Sequence, residues 1–187
     1  MKKVVVGIGG ASGIRLGLRL IEEMQKSTKC HIVLSESAQL VWKKETCKNL
    51  LEEIEARGGI LYEEREIWAD IASGSFGADM MAIVPTSMNL LAKIACGIGD
   101  ELISRCASVM IKEKKTLLLA PREMPFSSIA LENMLKLSNL GVIIAPPILA
   151  YYAKIETLEE MENFLIGKWL DVLGIRNELY QRWAGGK

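Results

Sequence analysis

The residues best suited to chemistry in this chain gather where short apolar runs end. Gly7-Ile8-Gly9-Gly10-Ala11-Ser12-Gly13 follows the aliphatic run Val4-Val5-Val6 and precedes an amphipathic stretch. Backbone N–H groups and a helix N-terminus at such a place can receive an anion. The spacing departs from a dinucleotide fingerprint, because the third glycine of G-x-G-x-x-G falls at Ser12 and the second apolar run ends in Ser35, not in a ribose-binding acid. Hydroxyls at Ser12 and Ser35 suit a phosphate or the edge of a flavin, with a ligand-free tight turn as the alternative. Ser87, in Pro85-Thr86-Ser87-Met88-Asn89, can cap a helix, touch a ligand or do both. Arg122 and Glu123 stand between Pro121 and Pro125, whose fixed φ stiffens the segment. They read as functional groups in preference to a surface ion pair.

Composition narrows the field. With 1 histidine and 4 cysteines in no C-x-x-C spacing, zinc sites and histidine-based triads have little raw material, and no metal is expected. A formal net charge of +0 gives no broad attraction for nucleic acid. The uncharged stretch Leu137 to Ala153 is broken by Pro146-Pro147 and is shorter than the roughly 20 residues that a spanning helix needs. No membrane span and no signal peptide are expected, which points to the cytoplasm.

These residues must be carried by a framework, and the alternation of continuous apolar runs with longer amphipathic segments predicts a mostly parallel sheet with helices on both faces. Strands are expected near Lys3–Ile8, His31–Leu34, Met80–Val84, Thr116–Ala120 and Val142–Ala145. Helices are expected near Ile14–Lys26, Ser37–Leu51, Asn89–Cys96, Asp100–Lys112, Ser128–Ser138 and Leu158–Leu173. A length of 187 residues suits a single domain over 1–187, with the tail from 175 to 187 docking over the site. Trp42 and Trp169 read as core or interface, Trp68 as a possible flank of a ligand, and Arg15 as a solvated helix residue or an extra phosphate contact.

Several segments together resemble the UbiX flavin prenyltransferases: Gly10-Ala11-Ser12-Gly13, Ser35 followed by Ala38, Lys44-Glu45-Thr46, Ala72-Ser73-Gly74-Ser75, Pro85-Thr86-Ser87-Met88, Ile111-Lys112-Glu113, Pro121-Arg122-Glu123-Met124-Pro125 and Leu131-Glu132-Asn133-Met134-Leu135. Leu170-Asp171-Val172-Leu173-Gly174-Ile175 extends the match toward the end of the chain. The resemblance implies an α/β fold of the Rossmann-like, three-layer αβα type, assembled into a homo-oligomer, a dodecamer, with sites where subunits meet. It implies reduced FMN as acceptor and dimethylallyl monophosphate as donor, with bonds formed at flavin N5 and C6, and delivery of the prenylated FMN to a UbiD-type decarboxylase.

By the same resemblance Gly10, Ala11, Ser12, Gly13, Ser35 and Ser87 contact the flavin, and Arg105 serves both flavin and donor phosphate. Lys112, Arg122, Glu123 and Tyr152 form the phosphate-binding and acid–base cluster. Ser12 and Glu45 handle protons near N5, Lys168 stands where the family has a phosphate-binding arginine, and Trp183 covers the substrate. Thr86, Ala130 and Ser108 replace the family's usual cysteine, histidine and aspartate. A catalytically weak paralogue that carries FMN or prenylated FMN is the alternative. A flavin-dependent cysteine decarboxylase is disfavoured, because its catalytic histidine belongs near the first helix and His31 begins the second strand.

Overall fold

The structure, a computed structural model, describes residues 1–153 and 155–182. Six parallel strands lie in the order β3-β2-β1-β4-β5-β6. They are β1 (Lys2–Ile8), β2 (Thr28–Leu34), β3 (Ile60–Glu63), β4 (Met80–Thr86), β5 (Thr116–Pro121) and β6 (Ile143–Ile144). The helices are α1 (Ile14–Gln25), α2 (Glu36–Thr46), α3 (Leu50–Glu55), α4 (Met88–Ala95), α5 (Leu102–Lys112), α6 (Ser128–Asn139) and α7 (Leu158–Val172). This is the three-layer Rossmann-like arrangement expected from the sequence.

The period of two along a strand divides the core. Val4, Val6 and Ile8 pack with α1, α2, α3 and α7 on one face, whereas Val5, Val33, Met81 and Ile83 pack with α4, α5 and α6 on the other. Covering on both faces explains why β1 and β4 read as unbroken apolar runs. The order in which successive strands are added reverses at β1, which pairs with β2 on one side and β4 on the other. The crevice beyond the carboxyl ends of β1 and β4 is thus the topological switch point where open sheets take their ligands.

Two expectations change. The helix expected over Ser37–Leu51 is two, because Cys47 takes a left-handed φ of 60° as the C-cap of α2 and the Asn49 side chain accepts from Leu51 N at 3.0 Å to start α3. Strand β3 was not expected. It is a half-exposed edge strand of 4 residues after Gly58-Gly59, with none of the aliphatic run that marks its neighbours. The other elements fall where expected, give or take their ends, although β6 keeps only 2 residues and β2 starts earlier, at Thr28. No helix among the described residues is long and apolar enough to cross a membrane.

Candidate functional site

The loop after β1 is shaped by what it touches. Gly9 N donates to Pro85 O at 3.0 Å, and a Cβ on Gly9 would lie 2.7 Å from that same carbonyl oxygen. A Cβ on Gly10 would overlap the Ser37 side chain. Gly13 adopts φ 96° as the N-cap of α1, with no side chain capping the helix and no acid in its first turn. Leu16 N donates to Gly13 O at 2.9 Å, and the N–H groups of Ile14 and Arg15 keep their capacity for an anion. The Ser12 hydroxyl, half-buried beside them, has no hydrogen-bond partner among the described residues.

Serines from two neighbouring strand ends close around this loop. Ser35 N donates to Ile8 O at 3.0 Å, and Ser35 Oγ caps α2 by accepting from Ala38 N at 3.0 Å. It also shares a hydrogen bond with Ser37 Oγ, 3.0 Å away, and Ser37 is exposed. Ser37 was missed from the sequence, although a serine two residues beyond one that ends a strand was a visible signal. Ser87 Oγ caps α4 by accepting from Leu90 N at 3.2 Å. A hydroxyl that accepts this bond still carries a proton to donate.

Thr86, in the cysteine position of the resembled family, has a structural task. It is fully buried where the pairing of β4 with β5 shifts register. Its Oγ1 donates to Ile83 O at 2.7 Å and accepts from Ala120 N at 3.2 Å, filling the gap in the ladder. Its carbonyl oxygen receives Arg122 N at 3.2 Å. The Arg122-Glu123 segment is thereby fixed beside Ser87, at the same sheet edge as the glycine loop.

Arg122 and Glu123 are both exposed and form no ion pair among the described residues, so the surface-pair alternative does not hold. Glu123 Oε1 accepts from the backbone N of Met124 at 3.0 Å. Beyond the carboxyl end of β6 lies a mainly apolar cavity of 280 Å³, whose wall includes Tyr152, Phe164, Lys168 and Trp169. Trp169 Nε1 donates to Ala145 O at 2.9 Å, which holds α7 to the end of β6. Arg105 sits one turn into α5, whose first residue donates from Leu102 N to Glu64 O just past β3. It too is exposed and without an ion pair among the described residues.

Two expected site residues stand apart within the single chain. Lys112 ends α5 and precedes Thr116, the first residue of β5, whereas Arg122 follows Pro121, the last. They are separated by the length of β5, about 20 Å at the usual strand rise. Lys112 pairs instead with Glu113, at 3.2 Å. Glu45 lies near the C-terminal end of α2, about 15 Å along the helix from Ser35. Trp183 lies outside the described residues.

Other candidates resolve into structural roles. Arg15 is the solvated residue of α1 that one alternative expected, its side chain 60% exposed, with Nε 3.1 Å from Glu162, a buried α7 carboxylate that also receives Arg19 at 2.7 Å. His31 is buried, with Nδ1 2.9 Å from Tyr62 OH, and burial followed by the charges of Lys29 and Lys3 pushes its pKa down. It touches no residue of the glycine loop in these contacts. Burial pushes the Cys106 thiol up to about 12, which suits a packed side chain and not a nucleophile. Trp42 and Trp169 are buried and Trp68 is exposed. No group of three or more His, Cys, Asp or Glu side chains among the described residues is placed to hold a metal ion.

The site therefore combines a close-packed glycine cradle, a rim of hydroxyls and an uncapped helix start with arginines at the same edge. Such a set fits a planar hydrogen-bonding cofactor with an anionic tail, and a second anion beside it.

Residues 1–170 match the Flavoprotein family. The flavin prenyltransferase UbiX of Helicobacter pylori is 52% identical over 185 residues, covering 97% of this chain and 98% of that protein. The Methanocaldococcus jannaschii protein of the same name is 42% identical over 182 residues, covering 97% and 98%. Among solved structures, AnUbiX in complex with FMN and dimethylallyl pyrophosphate superposes with a TM-score of 0.95 at 35% identity, covering 100% of this chain and 99% of that one. A dodecameric FMN-dependent UbiX-like decarboxylase from Escherichia coli O157:H7 gives a TM-score of 0.93 at 37% identity, covering 98% and 100%. The peptidyl-cysteine decarboxylase EpiD shares only the fold, with a TM-score of 0.68 at 17% identity, covering 92% and 99%.

Proposed function

Starting from the fact that this chain belongs to the UbiX flavin prenyltransferases, within the Flavoprotein family, we propose that it transfers a dimethylallyl group from dimethylallyl monophosphate to reduced FMN. Reduced FMN, when bound, would supply N5 and C6: the bond to N5 replaces the donor's C–O bond to phosphate, the bond to C6 uses the donor's C=C pair, and of the protons lost from N5 and C6 one goes to the other alkene carbon and one to phosphate. The observation that carries this reading is the meeting of the serine-rimmed glycine loop with Arg122 at one sheet edge, through the 3.2 Å bond from Arg122 N to Thr86 O.

The chain's own groups divide the work. Gly10 to Gly13, Ser35 and Ser87 hold the flavin by backbone N–H groups and hydroxyls. Ser12, from the loop, holds and moves the proton at N5, and Glu45, from the last turn of α2, shares that role only when a neighbouring subunit brings it there. Arg122, Lys168, Arg105 and the Tyr152 hydroxyl bind the departing phosphate, whose negative charge grows as the C–O bond breaks. Glu123 delivers a proton to that phosphate. The apolar wall beside Tyr152 and Lys168 keeps water from the allylic carbon, and Trp183 covers the donor.

Lys112 joins Arg122 in this reading only when a neighbouring subunit brings it there. The chain leaves Met124 89%, Ile129 69%, Leu135 64% and Ile148 66% exposed, apolar surface of the kind that subunit contacts bury. A homo-oligomer with sites shared between subunits, a dodecamer as in the Escherichia coli relative, accounts for both features. The product would pass to a UbiD-type decarboxylase, in the cytoplasm.

Mass spectrometry of the flavin released after anaerobic incubation with reduced FMN and donor tests the reading. A flavin heavier by one C5H8 unit is expected with the monophosphate, and a run with the diphosphate defines the donor. Unmodified FMN at every time point, beside an active relative, would count against it and leave the carrier alternative.

A further inference from the structure

The chain after α7 folds back onto that helix through one carboxylate. Asp171 Oδ2 accepts from Tyr180 OH at 2.5 Å and from Arg182 at 2.8 Å, while Oδ1 accepts from Arg182 at 2.7 Å and from Asn177 Nδ2 at 2.9 Å. A bidentate arginine, a phenol and an amide thus converge on a side chain only 22% exposed. The Arg182 bond, followed in the same direction by Tyr180, holds the Asp171 carboxyl below the usual carboxylate range. Gly167, one turn back, has no room for a Cβ against the Tyr180 ring, and its carbonyl accepts from Asn177 Nδ2 at 3.1 Å.

This clasp reaches the candidate donor cavity through aromatic contacts. The Tyr180 ring meets Phe164 edge-on, with centroids 5.1 Å apart, and Phe164 meets Tyr152 edge-on at 5.8 Å. Phe164 walls the Tyr152–Lys168 cavity on one side and, on the other, a 240 Å³ cavity lined by Leu179 and Tyr180. Phe164, Lys168 and Asp171 are spaced four and three residues apart on α7, so they share one face of the helix. The clasp, the ring relay and the lysine therefore form one connected surface.

We propose that Asp171 is a positioning residue for donor binding: by clasping Tyr180 and Arg182 it seats residues 177–182 on α7 and, through Phe164, fixes the Tyr152 ring against the cavity that Lys168 lines. The proposal rests on the reading that Tyr152 and Lys168 receive the donor phosphate. Asp171 touches neither donor nor flavin in this account and acts only through these rings.

The test compares wild type with Asp171→Asn and Tyr180→Phe, both nearly isosteric. Dimethylallyl monophosphate affinity is read by calorimetry on the FMN-loaded protein, and KM and kcat by flavin mass spectrometry. Trypsin cleavage after Arg182 in the full chain reports the clasp independently of activity. Asp171→Asn is expected to weaken donor affinity and raise KM about tenfold, with kcat and FMN affinity within twofold and cleavage accelerated. Tyr180→Phe should move the same quantities less. Faster cleavage with donor affinity unchanged overturns the proposal, as does an equal loss of FMN and donor affinity, which marks a general structural defect. Absence of donor binding by wild type sinks the functional reading itself and the proposal with it, whereas donor binding that Asp171→Asn leaves intact sinks the clasp alone.

Discussion

The loop between β1 and α1 and the segment from Pro121 to Pro125 leave the same edge of the sheet, yet their groups are held to different degrees. Around the loop, Gly9 rests on the Pro85 carbonyl oxygen, Gly10 on Ser37, and Ser35 and Ser87 are locked as helix caps. Across the edge, Arg122, Arg105 and Lys168 are exposed cations with no ion pair among the described residues. Backbone donors and caps lose little entropy on binding, which suits a cofactor that must sit in one orientation. Unpaired cations at one edge raise a positive potential that attracts an anion and is relieved when the anion arrives. In the proposed reading the glycine loop and its serines are already set inside one chain, whereas the donor half waits for phosphate and for a neighbouring subunit.

Gly9→Ala strikes the loop half hardest, because the new Cβ meets backbone that cannot swing aside, 2.7 Å from Pro85 O. Overpacking of this kind costs about 1–3 kcal/mol, and FMN affinity measured by flavin fluorescence should fall by at least tenfold. Arg122→Ala is the counterpart on the open half. Loss of a charge-assisted phosphate contact worth about 1.5–3 kcal/mol should raise the donor KM ten- to hundredfold while urea stability stays within about 0.5 kcal/mol. A large stability loss there would break the contrast between the halves.

Thr86→Val probes the seam between them. It leaves the buried Ala120 N–H without its 3.2 Å partner, and urea unfolding should show a loss of about 1–3 kcal/mol. Lys168→Arg sharpens the picture with the smallest effect, since charge is kept and a planar fork gained. A donor KM lower by about two- to fivefold, with kcat little changed, is expected from a gain of under about 1 kcal/mol.

The loop half was also the legible one. Its strands are aliphatic runs covered on both faces, and its serines and glycines sit where those runs stop, so residue type and position coincide. β3 was illegible because an edge strand needs no continuous apolar run, and the break before α3 because it turns on the conformation of Cys47 and the cap at Asn49. The separation of Lys112 from Arg122 carried a signal that was not used. In a parallel sheet a residue just before a strand and one just after it lie at opposite edges, and these two flank β5. Motif resemblance groups residues by role and is blind to which subunit supplies them.

Mixing two variants impaired at limiting donor tests that division most directly. Lys112→Ala and Arg122→Ala proteins, each assembled and binding FMN, are dissociated, mixed and reassembled, and prenylated flavin is measured. Sites that draw an intact lysine from one subunit and an intact arginine from another should restore activity well above the sum of the separate variants. Activity no greater than that sum, in mixed oligomers shown to form, would contradict a donor site completed across subunits.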